Sequence, residues 1–221
     1  MRIFVVIAFG VSVALVVASC GGVERAPYGG PAEQQLAAAT TAVDVASVAR
    51  LLAAGANPNQ MVKVDGHDQS AWFLSLYQMR PNRPDMVEVV RAMLKAGANP
   101  ESAWGTNVGS VKNQESVVRS FMGPSRRSGS GPDAPLHVAM LHPVPEVVRA
   151  LVAAGLNPRH GQAALVMAIE EGDVEIAHIL VDAGVDVNGQ PGANTPLVAA
   201  IEARNVPLMT YLEAHGAREK P

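Results

Sequence analysis

Aromatic side chains make up only 4% of the 221 residues, and cysteine occurs once, at Cys20. A chain so poor in Phe, Tyr and Trp must fill its interior with small and aliphatic groups. The abundant Ala, Val and Leu suit close stacking of helices. A single cysteine excludes any intrachain disulfide, so stability has to come from packing. Basic charge is not in excess: 17 Lys and Arg stand against 20 Asp and Glu, for a net charge of −3. That excludes a general nucleic-acid surface, which needs a basic face. Catalytic signatures are missing as well, with no G-x-S-x-G, phosphate loop, dinucleotide fingerprint or H-E-x-x-H. The expectation is therefore a chain that is not an enzyme and has no cofactor, small-molecule substrate or nucleic-acid partner. What is present, 48% apolar residues in a chain of this length, suffices for one folded domain with a substantial core.

The N-terminus has its own organisation. Arg2 precedes an uncharged run from Ile3 to Ser19, and Cys20 follows. A positive start, an apolar stretch and small residues before a cut point describe a secretory signal. The ending Val17-Ala18-Ser19-Cys20 resembles the lipobox of bacterial lipoproteins. That resemblance implies cleavage after residue 19, lipidation of Cys20 and anchoring in the periplasm. Gly21, standing where an Asp would imply inner-membrane retention, favours the outer membrane. The competing reading is an uncleaved membrane-spanning anchor, since no charge interrupts Ile3 to Val23. Residues 20–31 then read as a Gly- and Pro-containing tether, ERAPYGGP at 24–31.

Five Gly-centred segments recur: LLAAGANPN (51–59), MLKAGANPE (93–101), LVAAGLNPR (151–159), LVDAGVDVN (180–188) and YLEAHGA (211–217). Each closes an apolar helical pattern with a residue that tolerates a left-handed conformation. A second motif precedes them as APLH (134–137), AALV (163–166), TPLV (195–198) and the degenerate SAWF (70–73). From Ala134 to Gly155, Ala163 to Gly184 and Thr195 to Gly216 the offset is always 21 residues. Counting back the same distance from Gly55 gives QQLA (34–37), whereas Ser70 to Gly97 spans 27 and predicts a longer helix pair.

This pattern resembles the ankyrin repeat, with its period of about 33 residues and T-P-L-H-x-A start. The best copy is APLHVAMLHPVPEVVRALVAAGLNP (134–158). The resemblance implies an all-α solenoid of about five helix-turn-helix repeats over residues 32–217, with a polar tail at 218–221. It also implies a scaffold that binds a protein partner. The residues fit independently. In register, Ala39, Ser75, Ala139, Ala168 and Ala200 share a position whose small size lets inner helices approach. Leu36, Trp72, Leu136, Leu165 and Leu197 share another and form a core ladder. Val147, Val148, Leu151 and Val152 give an outer helix its apolar face. Asp44, Asp85, Asp173 and Asn205 are expected N-caps, with Pro145 and Pro207 in first turns.

Spacing between repeats is uneven: 15 residues from Gly55 to Ser70, 37 from Gly97 to Ala134, 8 from Gly155 to Ala163 and 11 from Gly184 to Thr195. Against the usual period, about 25 residues are inserted between repeats two and three, in residues 101–133. Such insertions collect on one face, often the binding one. Val117, Val118, Phe121 and Met122 give the insertion a candidate amphipathic stretch. Its net charge is +1, against −5 for everything from Ala134 onward. Trp104, Arg119, Phe121, Met122, Arg126 and Arg127 have the composition of a binding hot spot. Phe73, Tyr77 and His142 are the candidates on the regular concave face. The six histidines are not spaced as metal ligands, and the acidic run Glu170 to Glu175 reads as a solvated turn with an N-cap.

Two functions of different kinds follow as expectations. One is a periplasmic protein-binding lipoprotein, in its sharpest form an immunity protein that neutralises an envelope-acting toxin effector. The other is an envelope-maintenance scaffold supporting a periplasmic enzyme, for example in oxidative-stress defence.

Overall fold

Backbone caps set the boundaries of the repeats. The computed structural model describes residues 28–80, 82–101, 134–188 and 195–218. These contain five helix pairs: α1 (Pro31–Ala42) with α2 (Val45–Ala53), α3 (Ala71–Tyr77) with α4 (Pro84–Lys95), α5 (Ala134–Met140) with α6 (Pro145–Ala153), α7 (Gln162–Glu171) with α8 (Val174–Asp182), and α9 (Pro196–Glu202) with α10 (Val206–Ala214). Asp44 accepts from the Ser47 N–H at 3.0 Å and Asn205 from the Leu208 N–H at 3.1 Å, as caps should. Ser70 and Thr195 do the same for α3 and α9. Two expected caps are corrected. Pro84 begins α4, so Arg83 takes the cap position and Asp85 lies inside the first turn. Asp173 occupies the cap position of α8 but makes no side-chain cap bond.

Every pair closes on a glycine. Gly55, Gly97, Gly155, Gly184 and Gly216 have φ between +87° and +95°. The next N–H then reaches back to the carbonyl five residues earlier, as from Ala56 to Leu51 at 3.1 Å and Val185 to Leu180 at 3.1 Å. The residue making that bond is buried each time, so the turn is fastened by both a hydrogen bond and an apolar contact.

Inner helices α1, α3, α5, α7 and α9 stack in chain order, and the outer helices stack behind them. The ladder of Leu36, Trp72, Leu136, Leu165 and Leu197 is fully buried and runs the length of the stack. Ser75, Ala139, Ala168 and Ala200 are buried beside it, whereas Ala39 is half-buried because no repeat precedes it. Trp72 replaces a leucine, and its indole N–H is satisfied by the Asn99 carbonyl at 2.8 Å. The six extra residues of repeat two divide evenly. Relative to repeat five, three lengthen the connection at 78–83 and three lengthen α4.

One element departs from the all-α expectation. Residues 61–70 form an antiparallel hairpin of β1 (Met61–Val64) and β2 (His67–Ser70), joined by a two-residue turn. Asp65 and Gly66 both have positive φ, +50° and +82°. That is the turn an Asp-Gly pair supplies between twisted strands. Between repeats three and four the connection instead shortens to a 3-10 turn, Pro158–His160, that runs into α7. Gly161 is required there, because a Cβ would lie 2.6 Å from the Val185 side chain.

Candidate partner-binding surface

A polar ladder holds the finger side of the stack in register. After each closing glycine an Asn or Asp accepts from the N–H two residues later: Asn57 from Asn59, Asn99 from Glu101, Asn157 from Arg159 and Asp186 from Asn188. The side chain at that second position accepts from the next repeat. Asn59 takes the Asn99 N–H at 2.8 Å, Glu101 takes the Asn157 N–H, and Asn188 takes the Arg218 N–H at 3.0 Å. Glu33 begins the series by accepting from Asn57. Arg159 has no acceptor to offer, and at that step Gln162 donates to the Asp186 carbonyl instead. Glu101, counted with the insertion in the sequence, therefore ties repeat two to repeat three. Helices α3 and α5, and α4 and α6, pack directly on each other there.

On the opposite edge, where each inner helix turns into its outer helix, the exposed chemistry changes along the stack. Tyr77 ends α3, half-buried, with its ring stacked on Phe73 at a centroid distance of 5.5 Å and 13° between planes. Phe73 itself is only 1% exposed, so it supports Tyr77 and offers no free surface. Exposed Arg80 closes α3 by donating to the Met79 carbonyl at 2.6 Å and to the Tyr77 carbonyl at 3.4 Å. His142 follows α5 with Leu141 beside it. Burial, and then the charge of Arg80, hold its imidazole below the usual pKa. Thus Tyr77 and His142 share one edge with an arginine that sequence reasoning passed over. The signal was available: Arg80 and Arg83 flank the extended bend of repeat two.

Repeat four carries the opposite sign on this edge. Glu171 ends α7 and Asp173 begins α8. Burial, together with the charge of Glu171, raises the Asp173 pKa. Among the described residues no three His, Cys, Asp or Glu side chains are grouped to hold a metal ion, and no helix is long and apolar enough to cross a membrane. Cys20, Trp104, Arg119, Phe121, Met122, Arg126 and Arg127 lie outside the described residues.

Family models for ankyrin repeats match residues 109–191 and 136–220, together half of the chain. The chain belongs to the ankyrin-repeat family. The fold is similar to that of an ankyrin repeat domain from Acinetobacter baumannii AYE, with a TM-score of 0.58 and 23% identity over 83% of this chain and 81% of that one. No curated protein sequence matches. Ankyrin stacks act as protein-binding scaffolds. The edge just described supplies what such contacts use: an aromatic ring held by stacking, an arginine oriented by two carbonyls, and a carboxylate pole.

Proposed function

We propose that this ankyrin protein is a binding lipoprotein of the periplasm, held at the outer membrane through Cys20, and that it is an immunity factor neutralising an envelope-acting toxin. The observation that supports recognition outside the regular stack is the contact between Glu101 and Asn157. Repeats two and three join directly at the point where residues 102–133 enter the chain. That stretch brings Trp104, Phe121, Arg126 and Arg127 into a chain with few aromatics. Secretion and anchoring are supported by the Val17-Ala18-Ser19-Cys20 ending and the lone cysteine.

The test is capture of the periplasmic partner by tagged full-length protein, followed by titration against the identified toxin. Trp104→Ala and Phe121→Ala are each expected to weaken binding by about 2 kcal/mol or more. Loss of Arg126 and Arg127 is expected to slow association and reduce its salt dependence. Deleting Gly105 to Gly131 should abolish both capture and protection from the toxin. Full affinity in that deletion contradicts recognition by the insertion. Cys20→Ser should move the protein from the membrane fraction to soluble periplasm, and a variant that still pellets with membranes contradicts lipidation.

A further inference from the structure

The edge formed by the inner-helix ends is electrically polarised. Over repeat two it carries Arg80, with Arg83 close by in the same bend, and its single nearby acid is Asp85. Over repeat four it carries Glu171 and Asp173, and no Lys or Arg occurs between Arg159 and Arg204. Glu175, on the outer helix, is already engaged by Arg149 at 2.6 Å. Between the poles stand the half-buried Tyr77 and Leu141. Like charges influence one another at both ends: Arg80 disfavours the protonated His142, and Glu171 disfavours the ionised Asp173.

We propose that this edge receives a polypeptide segment of its partner that is acidic at one end, apolar in the middle and basic at the other. The acidic end lies over Arg80 and the basic end over Glu171. The assignment rests on the scaffold reading above and adds a second contact to it. Two steps between stacked inner helices, each about 8–10 Å, separate the poles by roughly 16–20 Å. An extended segment covers that span with about six residues at about 3.3 Å each. Charge complementarity of this kind fixes which segment binds and in which direction more than how tightly it binds.

Three nine-residue fluorescent peptides sharing a Leu-Phe-Leu centre serve as probes for anisotropy titration against the full-length Cys20→Ser protein. One has Glu at one end and Lys at the other, one has Glu at both ends and one has Lys at both. The bipolar peptide is expected to bind at least tenfold more tightly than either uniform one at low salt. Arg80→Gln should narrow its lead over the all-Lys peptide. Glu171→Gln should narrow its lead over the all-Glu peptide, with urea midpoints showing that both variants fold. Equal binding of all three peptides overturns the assignment. So does no binding of any of them while the captured partner still binds, an outcome that leaves the scaffold reading standing. A dimer in sedimentation velocity that Arg80→Gln dissociates would give the edge to a second copy of this chain, and would also overturn it.

Discussion

Glu33 shows how much one side chain does at the open end of a solenoid. One carboxylate oxygen returns to the Gly30 N–H at 2.8 Å and caps α1, while the other takes the Asn57 N–H at 3.2 Å and starts the polar ladder. Those bonds, the one from Asn57 first, hold its carboxyl below the usual range. A lowered folded-state pKa contributes stability that is present above the unfolded value and lost as pH falls through the folded one. Glu33→Gln is therefore expected to cost about 1 kcal/mol at neutral pH and to flatten the acid limb of the stability profile below about pH 4.5. Urea midpoints measured from pH 7 to pH 3 check both. Individual caps were legible in the sequence where nothing competed, as at Asp44 and Asn205. Asp85 was displaced because Pro84 fixes the helix start one residue earlier. Ladder bonds such as Asn59 to Asn99 join residues 40 apart, so they depend on a stacking register that sequence spacing does not display.

Helix pairing was the most legible level, because a small residue, an aliphatic ladder and a closing glycine recur together. Ala168 is fully buried where α7 meets its neighbours. Ala168→Leu should overpack two adjacent inner helices and lower stability by about 1–3 kcal/mol in urea unfolding. An unchanged midpoint would contradict the register assigned to all five repeats. Outer helices are also pinned by polar contacts. Tyr211 on α10 donates to Asp182 on α8 at 2.6 Å, with the rings of His178 and His215 at 4.1 and 4.3 Å. Burial, then the Asp182 bond, push the Tyr211 phenol up to about 12. Its neutral form is thus favoured in the fold, so this stability is complete below about pH 10 and disappears as pH rises toward 12. Tyr211→Phe is expected to lose less stability than the parent across that interval, measured by denaturation at pH 9, 10 and 11. The hairpin escaped an all-α reading because its strands have four residues each, too few for alternation to declare itself. Asp65-Gly66 was the local signal available.

At the scale of the molecule, five repeats form one stack in which each contacts only its neighbours, so cooperativity depends on every interface being intact. The interface of repeats two and three is the critical one, because residues 102–133 enter the chain there. Sequence spacing revealed that an insertion exists. It did not reveal that Glu101 belongs to the stack, since only the bond to Asn157 shows it. Nor did it show the charge reversal along the bend edge, which appears once Arg80 and Glu171 are placed on one line. A scaffold with recognition added to it must remain a scaffold when the addition is removed. Urea unfolding of the protein lacking Gly105 to Gly131 measures this directly. A single cooperative transition at the midpoint of the parent is the expected result. Two separate transitions, or a midpoint shifted well below the parent, would show that the two halves do not form one continuous stack.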